Sequence, residues 1–131
     1  MRKLFWKLRD AYHSVRYAIQ RVYQGYDDRD MFEFYPNFLK RITKILKSYK
    51  KNNIGYPGNI TEEDWGDILQ EMNDCFKNAD EFIAANELFG GYKLFIKKWS
   101  IEKQKQLNEF VEKNKNRGFD LLKEHFFHLW Y

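Results

Sequence analysis

The sequence predicts an all-α protein, a compact bundle of about four helices, from two observations. Apolar residues recur every three or four positions along most of the chain, which is the spacing of one face of a helix. Residues that favour helix ends stand beside these stretches, with Gly25 as a stop, Pro36 in a first turn and Thr61 as a cap. We expect a single helical domain over residues 1–131, because a chain of this length can bury roughly two thirds of its unfolded surface.

The first predicted helix is basic and amphipathic and runs for about six turns. It should end at Gly25, since glycine commonly terminates helices. Its charged face holds one acid, Asp10. Such a helix can lie on a membrane surface or on nucleic acid, although an ordinary solvated face is the commoner interpretation. The apolar face comprises Leu4, Phe5, Leu8, Ala11, Tyr12, Val15, Ala18, Ile19, Val22 and Tyr23, and the basic residues are Arg2, Lys3, Lys7, Arg9, Arg16 and Arg21.

Residues 25–35 show no helical spacing, so we expect an irregular segment onto which the helices on both sides pack. The four acids there could ligate a hard cation, but the stretch lacks the Gly and the final Glu of a calcium-binding loop. The favoured interpretation is a buried structural carboxylate held by backbone N–H groups or by arginine. Asp28 or Asp30 would cap a turn, or one of them would pair with Arg29 or with a base of the first helix. The acids are Asp27, Asp28, Asp30 and Glu33.

The second and third helices are predicted to pair as an antiparallel hairpin. The second begins near Pro36, which suits a first helical turn, and it is basic without any acid. The third begins at Thr61, a favourable cap, and it is acidic. The complementary charges would steer this pairing more than stabilise it, because exposed ion pairs contribute about 0–1 kcal/mol each. The bases are Lys40, Arg41, Lys44, Lys47, Lys50 and Lys51, and the acids are Glu62, Glu63, Asp64, Asp67, Glu71, Asp74, Asp80 and Glu81.

The last helix is predicted to begin at about Ile101, after a break at Gly90 and Gly91. Gly118 lies on its apolar stripe and indicates close packing against a neighbour, at a cost of about 1 kcal/mol relative to Ala. The chain ends in the apolar residues 126–131, which we expect to dock into the core or into a partner.

Residues that could perform catalysis or bind a metal are sparse. Glu124 and His128 could share a helix face, but two ligands fall short of the three or four of a zinc site. Cys75 sits among acids, which raise the pKa of a thiol and make it less reactive. The sequence has no phosphate-binding loop and no dinucleotide-binding pattern. We therefore predict no enzyme activity, no metal and no cofactor. The histidines are His13, His125 and His128.

The composition predicts a cytoplasmic protein that associates with partners but not with membranes. No apolar run approaches the roughly 20 residues of a membrane span, and the charged N-terminus does not form a secretory signal. A single cysteine fits a reducing compartment. The aromatic residues are 12 Phe, 9 Tyr and 4 Trp, a load that leads us to expect rings facing a partner and a homo-oligomer.

Two sets of residues are candidates for binding. Aromatic rings with arginines nearby could hold a nucleotide, the base on a ring and the phosphate on a cation, although core packing is the commoner role of such rings. A basic surface could hold nucleic acid weakly. The candidate binding residues are Tyr26, Asp28, Arg29, Asp30, Tyr56, Trp65 and Trp130, and the basic surface comprises Arg9, Arg16, Arg41, Lys44 and Lys47.

A series of short motifs runs from Gly25 towards the C-terminus: Gly-Tyr-x-Asp-x-Asp-x-aromatic-x-aliphatic, Gly-Tyr-Pro, Thr-acid-acid-acid-Trp-x-x-Ile-Leu-x-x-Met, Gly-aromatic-x-Leu and Phe-Phe-x-Leu-Trp. They are formed by Gly25, Tyr26, Asp28, Asp30, Phe32, Phe34, Gly55, Tyr56, Pro57, Thr61, Glu62, Glu63, Asp64, Trp65, Ile68, Leu69, Met72, Gly118, Phe119, Leu121, Phe126, Phe127, Leu129 and Trp130. In this order they resemble a family of small proteins of tailed bacteriophages. One position departs from the pattern, because Tyr35 stands where the family has an aspartate that caps a helix.

The resemblance implies a virus-encoded protein that works in the cytoplasm of an infected bacterium, and it does not supply an activity. We predict a non-enzymatic binding protein, a host-takeover or counter-defence factor that blocks a host protein. Two alternatives remain open. One is a sponge-like protein that sequesters an anionic nucleotide signal, and the other is a weak nucleic-acid-binding protein.

Overall fold

The computed structural model describes residues 1–52 and 55–129, and these residues confirm the all-α class. They form seven α-helices and one 3₁₀ turn and contain no strand. The helices are α1 (Arg2–Gln24), α2 (Asp28–Phe32), α3 (Phe34–Asn52), α4 (Glu62–Asn78), α5 (Glu81–Phe89), α6 (Tyr92–Lys97) and α7 (Ile101–His125), followed by the 3₁₀ turn Phe126–His128. The four long helices, α1, α3, α4 and α7, correspond to the four that the sequence predicts. Their arrangement as one bundle stays a prediction.

The chain divides into two compact units, residues 1–38 and 39–131, and the boundary falls within the first turns of α3. We describe each unit by itself, and the single domain stays a prediction. No helix in the described ranges is both long and apolar enough to cross a membrane.

The first unit contains α1, α2 and the start of α3. As predicted, α1 ends at Gly25, whose left-handed backbone (φ 81°) lets its N–H donate to the carbonyl oxygen of Arg21. Pro36 lies in the first turn of α3, also as predicted. The expected irregular segment is wrong, because residues 28–32 are helical and α3 begins at Phe34. The residues that cap α2, described below, explain why a helix forms where apolar spacing gives no sign of one.

The second unit is built around the packing of α4 on α7. Gly118 lets the helices approach closely, because a Cβ atom there would lie 3.2 Å from two ring carbons of Phe76. The predicted close packing at this glycine is therefore confirmed. The buried apolar residues of the unit are Leu39, Leu46, Trp65, Leu69, Met72, Cys75, Phe76, Ala79, Ala84, Ala85, Phe95, Leu107 and Leu121.

Side-chain caps divide the second half of the chain into its helices. The Thr61 hydroxyl accepts a hydrogen bond from the Asp64 N–H at 3.1 Å and starts α4, as predicted. The Asp80 carboxylate accepts from the N–H groups of Phe82 and Ile83 and starts α5 as a separate helix. The sequence extends the apolar stripe of the third predicted helix from Trp65 to Ile83, but this cap ends the stripe earlier, and Ile83 is exposed. Ser100 caps α7, whose predicted start at Ile101 is confirmed.

A solvent-exposed hydrogen bond between side chains connects the basic α3 to the acidic α4. The Lys50 ammonium donates to Oε1 of Gln70 at 2.9 Å, beside the buried Leu46 and Leu69. The antiparallel hairpin of these two helices stays a prediction.

Candidate functional site

Asp27 is the centre of the acidic cluster, and its carboxylate is completely buried. It caps α2 by accepting a hydrogen bond from the Arg29 N–H at 3.0 Å. The Asp30 carboxylate accepts in return from the Asp27 N–H at 2.9 Å, which completes a capping box. Each carboxylate thus satisfies a backbone donor that would otherwise be unpaired at the helix start.

Two arginines neutralise the Asp27 carboxylate. The Arg29 guanidinium donates to both carboxylate oxygens, at 3.1 Å and 2.9 Å, and Arg21 of α1 donates to Oδ2 at 3.3 Å. The hydrogen bonds from Arg29 and the positive charges of both arginines lower the pKa of Asp27, against the opposing effect of burial. The same hydrogen bond raises the pKa of Arg29.

Asp28 connects α2 to α1 at two points. Its carboxylate pairs with Arg16 at 3.3 Å, and its N–H donates to Oε1 of Gln20 at 3.0 Å. The favoured interpretation of the acidic cluster as a buried structural carboxylate held by N–H groups and arginine therefore fits the geometry. The predicted pairing of Asp28 or Asp30 with a base of the first helix is confirmed for Asp28 and Arg16. The N-cap itself is Asp27, which directly precedes the first helical residue, and Asp30 takes part in the capping box by accepting from its N–H.

Most candidate binding residues take part in structural contacts, and the set is divided between the two units. Tyr26, Asp28, Arg29 and Asp30 belong to the first unit, whereas Tyr56 and Trp65 belong to the second. Arg29 stacks over the ring of Tyr17 at 4.6 Å, a residue that the sequence analysis did not single out. Tyr26 and Tyr56 are exposed, and Trp130 lies outside the described residues.

Trp65 is buried, so it is a core residue and not a stacking surface. Its ring packs edge-on against His125 at 5.6 Å and against His128 at 6.1 Å. The Nδ1 atoms of these two histidines are 3.4 Å apart, a distance at which one ring donates a hydrogen bond to the other. The described residues hold no group of three or more His, Cys, Asp or Glu side chains that could bind a metal ion. Burial, reinforced by the nearby Glu71, raises the pKa of the Cys75 thiol, the direction that the sequence predicts.

The predicted basic surface is distributed over both units. Arg9 lies over the ring of Trp6 at 3.9 Å and pairs with Asp10 at 3.5 Å, and Arg16 pairs with Asp28. Arg41, Lys44 and Lys47 are exposed along α3.

One pocket, of about 300 Å³, lies beside the basic stripe of α3. Its floor is apolar, because Leu46 and Leu69 are buried there. Asn73 also lines it and is 95% buried, and its Oδ1 atom has no hydrogen-bond partner in the described structure. We call this the α3–α4 pocket. It is lined by Leu46, Lys47, Lys50, Lys51, Leu69, Gln70 and Asn73.

The least expected surface is the apolar face of α1. None of the residues of α1, all of which the structure describes, is buried. The face that α1 turns to its own unit is the opposite one, where His13, Tyr17 and Gln20 are half-buried. Six large residues on the apolar face are between 52% and 80% exposed, and we call them the α1 seam. The α1 seam comprises Phe5, Leu8, Tyr12, Val15, Ile19 and Val22.

The α1 seam has the residue spacing of a coiled-coil interface. Its members alternate steps of three and four residues from Phe5 to Val22, which gives three heptads of 3.5-residue period. Amphipathic spacing predicts the apolar face of α1, and the seam is a narrower stripe within that face. Such spacing does not predict that the face is left uncovered.

Comparisons of this chain with family models, with curated proteins and with solved structures find no match. The class that the structure defines is an all-α protein with an exposed heptad seam on its first helix.

Proposed function

We propose that this protein is a non-enzymatic binding protein that recognises a helix of another protein through the α1 seam. The observation that carries the proposal is the exposure of all six seam residues on a helix of 23 residues with no buried side chain. Contiguous exposed apolar surface of this kind marks interaction sites, because removing apolar surface from water lowers the free energy.

The spacing favours a helix as the partner. Residues that alternate three and four apart lie on a stripe along one side of a helix, and a second helix can pack its own side chains between them. A membrane surface needs an apolar face but makes no use of this register. The seam is therefore suited to helix–helix recognition.

The local chemistry elsewhere supports binding over catalysis. The acidic cluster, which is the densest set of titratable groups in the sequence, is occupied with capping α2 and with arginine pairing. Its carboxylates hold the fold of the first unit together. The Cys75 thiol is buried, with a raised pKa, in surroundings that suppress nucleophilic reactivity.

The resemblance to small proteins of tailed bacteriophages supports a biological setting for this binding. We propose that the protein acts in the cytoplasm of an infected bacterium as a host-takeover or counter-defence factor, and that the helix it covers belongs to a host protein. Covering that helix would block the host protein without any chemical step.

Affinity capture from infected-host lysate with three forms of the full chain tests this proposal. The forms are the wild type, the seam variant Leu8→Glu/Val15→Glu and the control variant Ser14→Glu, which changes an exposed residue of α1 outside the seam. A host protein recovered by the wild type and the control but lost with the seam variant supports the proposal. Recovery of the same proteins by all three forms contradicts it. Circular dichroism checks that the helical content is equal, which we expect since α1 buries no residue.

A second candidate function is the sequestration of an anionic nucleotide in the α3–α4 pocket. Lys47 and Lys51 lie one helical turn apart at this pocket and take part in no ion pair within the described residues. Ammonium groups so placed attract phosphate, and the unpaired Oδ1 of Asn73 could accept a hydrogen bond from a base or a sugar. The apolar floor would contact the base.

A thermal-shift assay against a nucleotide panel tests this second function. A ligand at 100 times its dissociation constant adds about 2.7 kcal/mol to the free energy of unfolding. The shift should be lost in Lys47→Ala/Lys51→Ala and kept in Lys40→Ala, an exposed residue of α3 outside the pocket. No shift with any nucleotide would discard sequestration and leave the first proposal standing.

A further inference from the structure

The charges that surround the α1 seam are almost all of one sign. α1 carries six bases and one acid, Asp10, so its formal charge is six minus one, or +5. In heptad terms three arginines recur seven residues apart along one flank of the seam, and small or aliphatic residues recur along the other. The flanking arginines are Arg2, Arg9 and Arg16, and the residues of the other flank are Leu4, Ala11 and Ala18.

Part of this charge is neutralised within the first unit, and part is not. Arg16 and Arg21, near the C-terminal end of α1, pair with Asp28 and Asp27 at 3.3 Å each. Towards the N-terminal end, Arg2, Lys3 and Lys7 take part in no ion pair within the described residues. The uncompensated positive charge therefore lies beside the first seam residues.

We infer that the partner of the α1 seam is an acidic helix, one that carries apolar residues at heptad spacing and carboxylates along its flanks. This inference rests on the proposed function and names the chemistry of the partner. In a parallel pair, acids of the partner would face the arginine flank across the interface, since these flanking positions meet in coiled coils. On that flank Arg2 takes part in no ion pair within the described residues, whereas Arg9 and Arg16 would exchange their exposed pairs with Asp10 and Asp28 for carboxylates of the partner. Ala11 and Ala18 on the other flank leave room for the partner helix to approach closely.

Charge also argues against a second copy of the chain as the partner. Two α1 helices would bring Arg2, Lys3 and Lys7 of both copies, unpaired in the described part of the chain, into one pair whose axes lie about 8–10 Å apart. An antiparallel pair would also place the arginine flanks directly against each other. An acidic helix turns this repulsion into attraction.

Two synthetic peptides of 21 residues test the inference with the full chain. Both carry Leu and Ile at the heptad core positions, and they differ at the flanking positions, which are Glu in one peptide and Lys in the other. We expect fluorescence anisotropy to show at least about tenfold tighter binding of the Glu peptide at low salt, because opposite charges attract and like charges repel across such interfaces. The difference should shrink at high salt, where the charges are screened. The Leu8→Glu/Val15→Glu variant should lose the Glu peptide, and Ser14→Glu should keep it.

Every other result contradicts the acidic partner, the proposed function or both. Equal binding of both peptides, weakened by the seam variant, would reject the acidic partner and retain the proposed function. Binding of neither peptide would reject the inference, and with host capture unchanged in the seam variant it would reject the proposed function too. Sedimentation equilibrium that shows dimers of the wild type but not of the seam variant would identify a second copy as the occupant. Binding to vesicles with anionic lipid that the Glu peptide does not displace would identify a lipid surface instead.

Discussion

α1 and α7 are helices of similar length, 23 and 25 residues, but only α7 has buried residues. The apolar stripe of α7 is covered by its own chain, and Leu107 and Leu121 are buried. The apolar stripe of α1 is exposed throughout. The two helices also differ in charge, because α1 carries six bases and one acid whereas α7 carries six bases and five acids. On α7, Arg117 forms an ion pair with Glu71 at 2.9 Å. Amphipathic spacing therefore identifies the apolar face of a helix, but not the molecule that covers it.

The largest expected effect comes from shortening one leucine on each helix. Leu107→Ala should lower the free energy of unfolding by about 2–5 kcal/mol, because it opens a cavity at a completely buried site. Leu8→Ala should change it by no more than about 0.5 kcal/mol, since Leu8 is 62% exposed. Urea denaturation followed by circular dichroism measures both. A loss of several kcal/mol for Leu8→Ala would show that the apolar face of α1 is covered in the free protein. That result would contradict the difference between the two helices.

The next effect tests what holds the first unit together in place of an apolar core. Asp27→Ala removes the cap of α2 and leaves the N–H of Arg29 and its guanidinium without their acceptor. We expect a loss of about 1.5–3 kcal/mol, the usual contribution of a hydrogen bond to a charged group. Asp27→Asn should cost less, because Asn also caps helices. Equal and negligible losses in both variants would mean that the capping box does not order this unit. Hydrogen exchange at the amides of residues 27–33 is the suitable measurement.

Acid should weaken the same cluster. Hydrogen bonds from Arg29 lower the pKa of Asp27 in the folded protein, so its ionised form is favoured by folding. This contribution to stability is fully present above the pKa of the unfolded chain and is lost as pH falls through the lower folded-state pKa. As pH falls from about 5 towards about 1, exchange protection at residues 27–33 should decrease in the wild type and change less in Asp27→Asn. The same pH dependence in both proteins would assign it to another carboxylate.

Local sequence signals predicted the places where one residue type determines the structure. Gly25 ends α1 because glycine tolerates positive φ, and Thr61 starts α4 because its hydroxyl accepts an orphan N–H. The sequence did not predict α2, because five residues are too few to show a period. It also did not predict the separation of α5 from α4, because the Asp80 cap interrupts a stripe that continues in sequence.

The candidate site was less predictable than the fold. Core packing is the commoner role for a ring such as Trp65, but its burial depends on contacts with His125 and His128, which lie far away in the sequence. Among four neighbouring acids, Asp27 is the N-cap because α2 begins at the next residue, Asp28. The exposure of the α1 seam depends on what the rest of the chain leaves uncovered, and no local pattern encodes that.

A smaller effect concerns how closely α7 approaches α4. Gly118→Ala improves the helix propensity of α7 by about 1 kcal/mol, but its Cβ would press on the completely buried ring of Phe76 at 3.2 Å. Overpacking of this kind costs about 1–3 kcal/mol, so we expect a net loss of about 1 kcal/mol. Gly66→Ala in α4 is the matched control, since nothing lies within 4 Å of a Cβ there, and it should stabilise the protein by up to about 1 kcal/mol. Equal gains for both variants in urea denaturation would mean that Phe76 can move aside.

The smallest expected effect on the global stability comes from a substitution at the end of α1. Gly25 has a φ of 81°, where an alanine is strained by about 1–2 kcal/mol and an asparagine by less. Because α1 buries no residue, this strain should fray the last turn of the helix and leave the urea midpoint of the second unit almost unchanged. Hydrogen exchange at residues 21–25 should therefore speed up in Gly25→Ala and speed up less in Gly25→Asn. A shift of the global midpoint equal to that of Gly118→Ala would show that α1 unfolds together with the α4–α7 core, and the seam would then have to be treated as part of that cooperative unit.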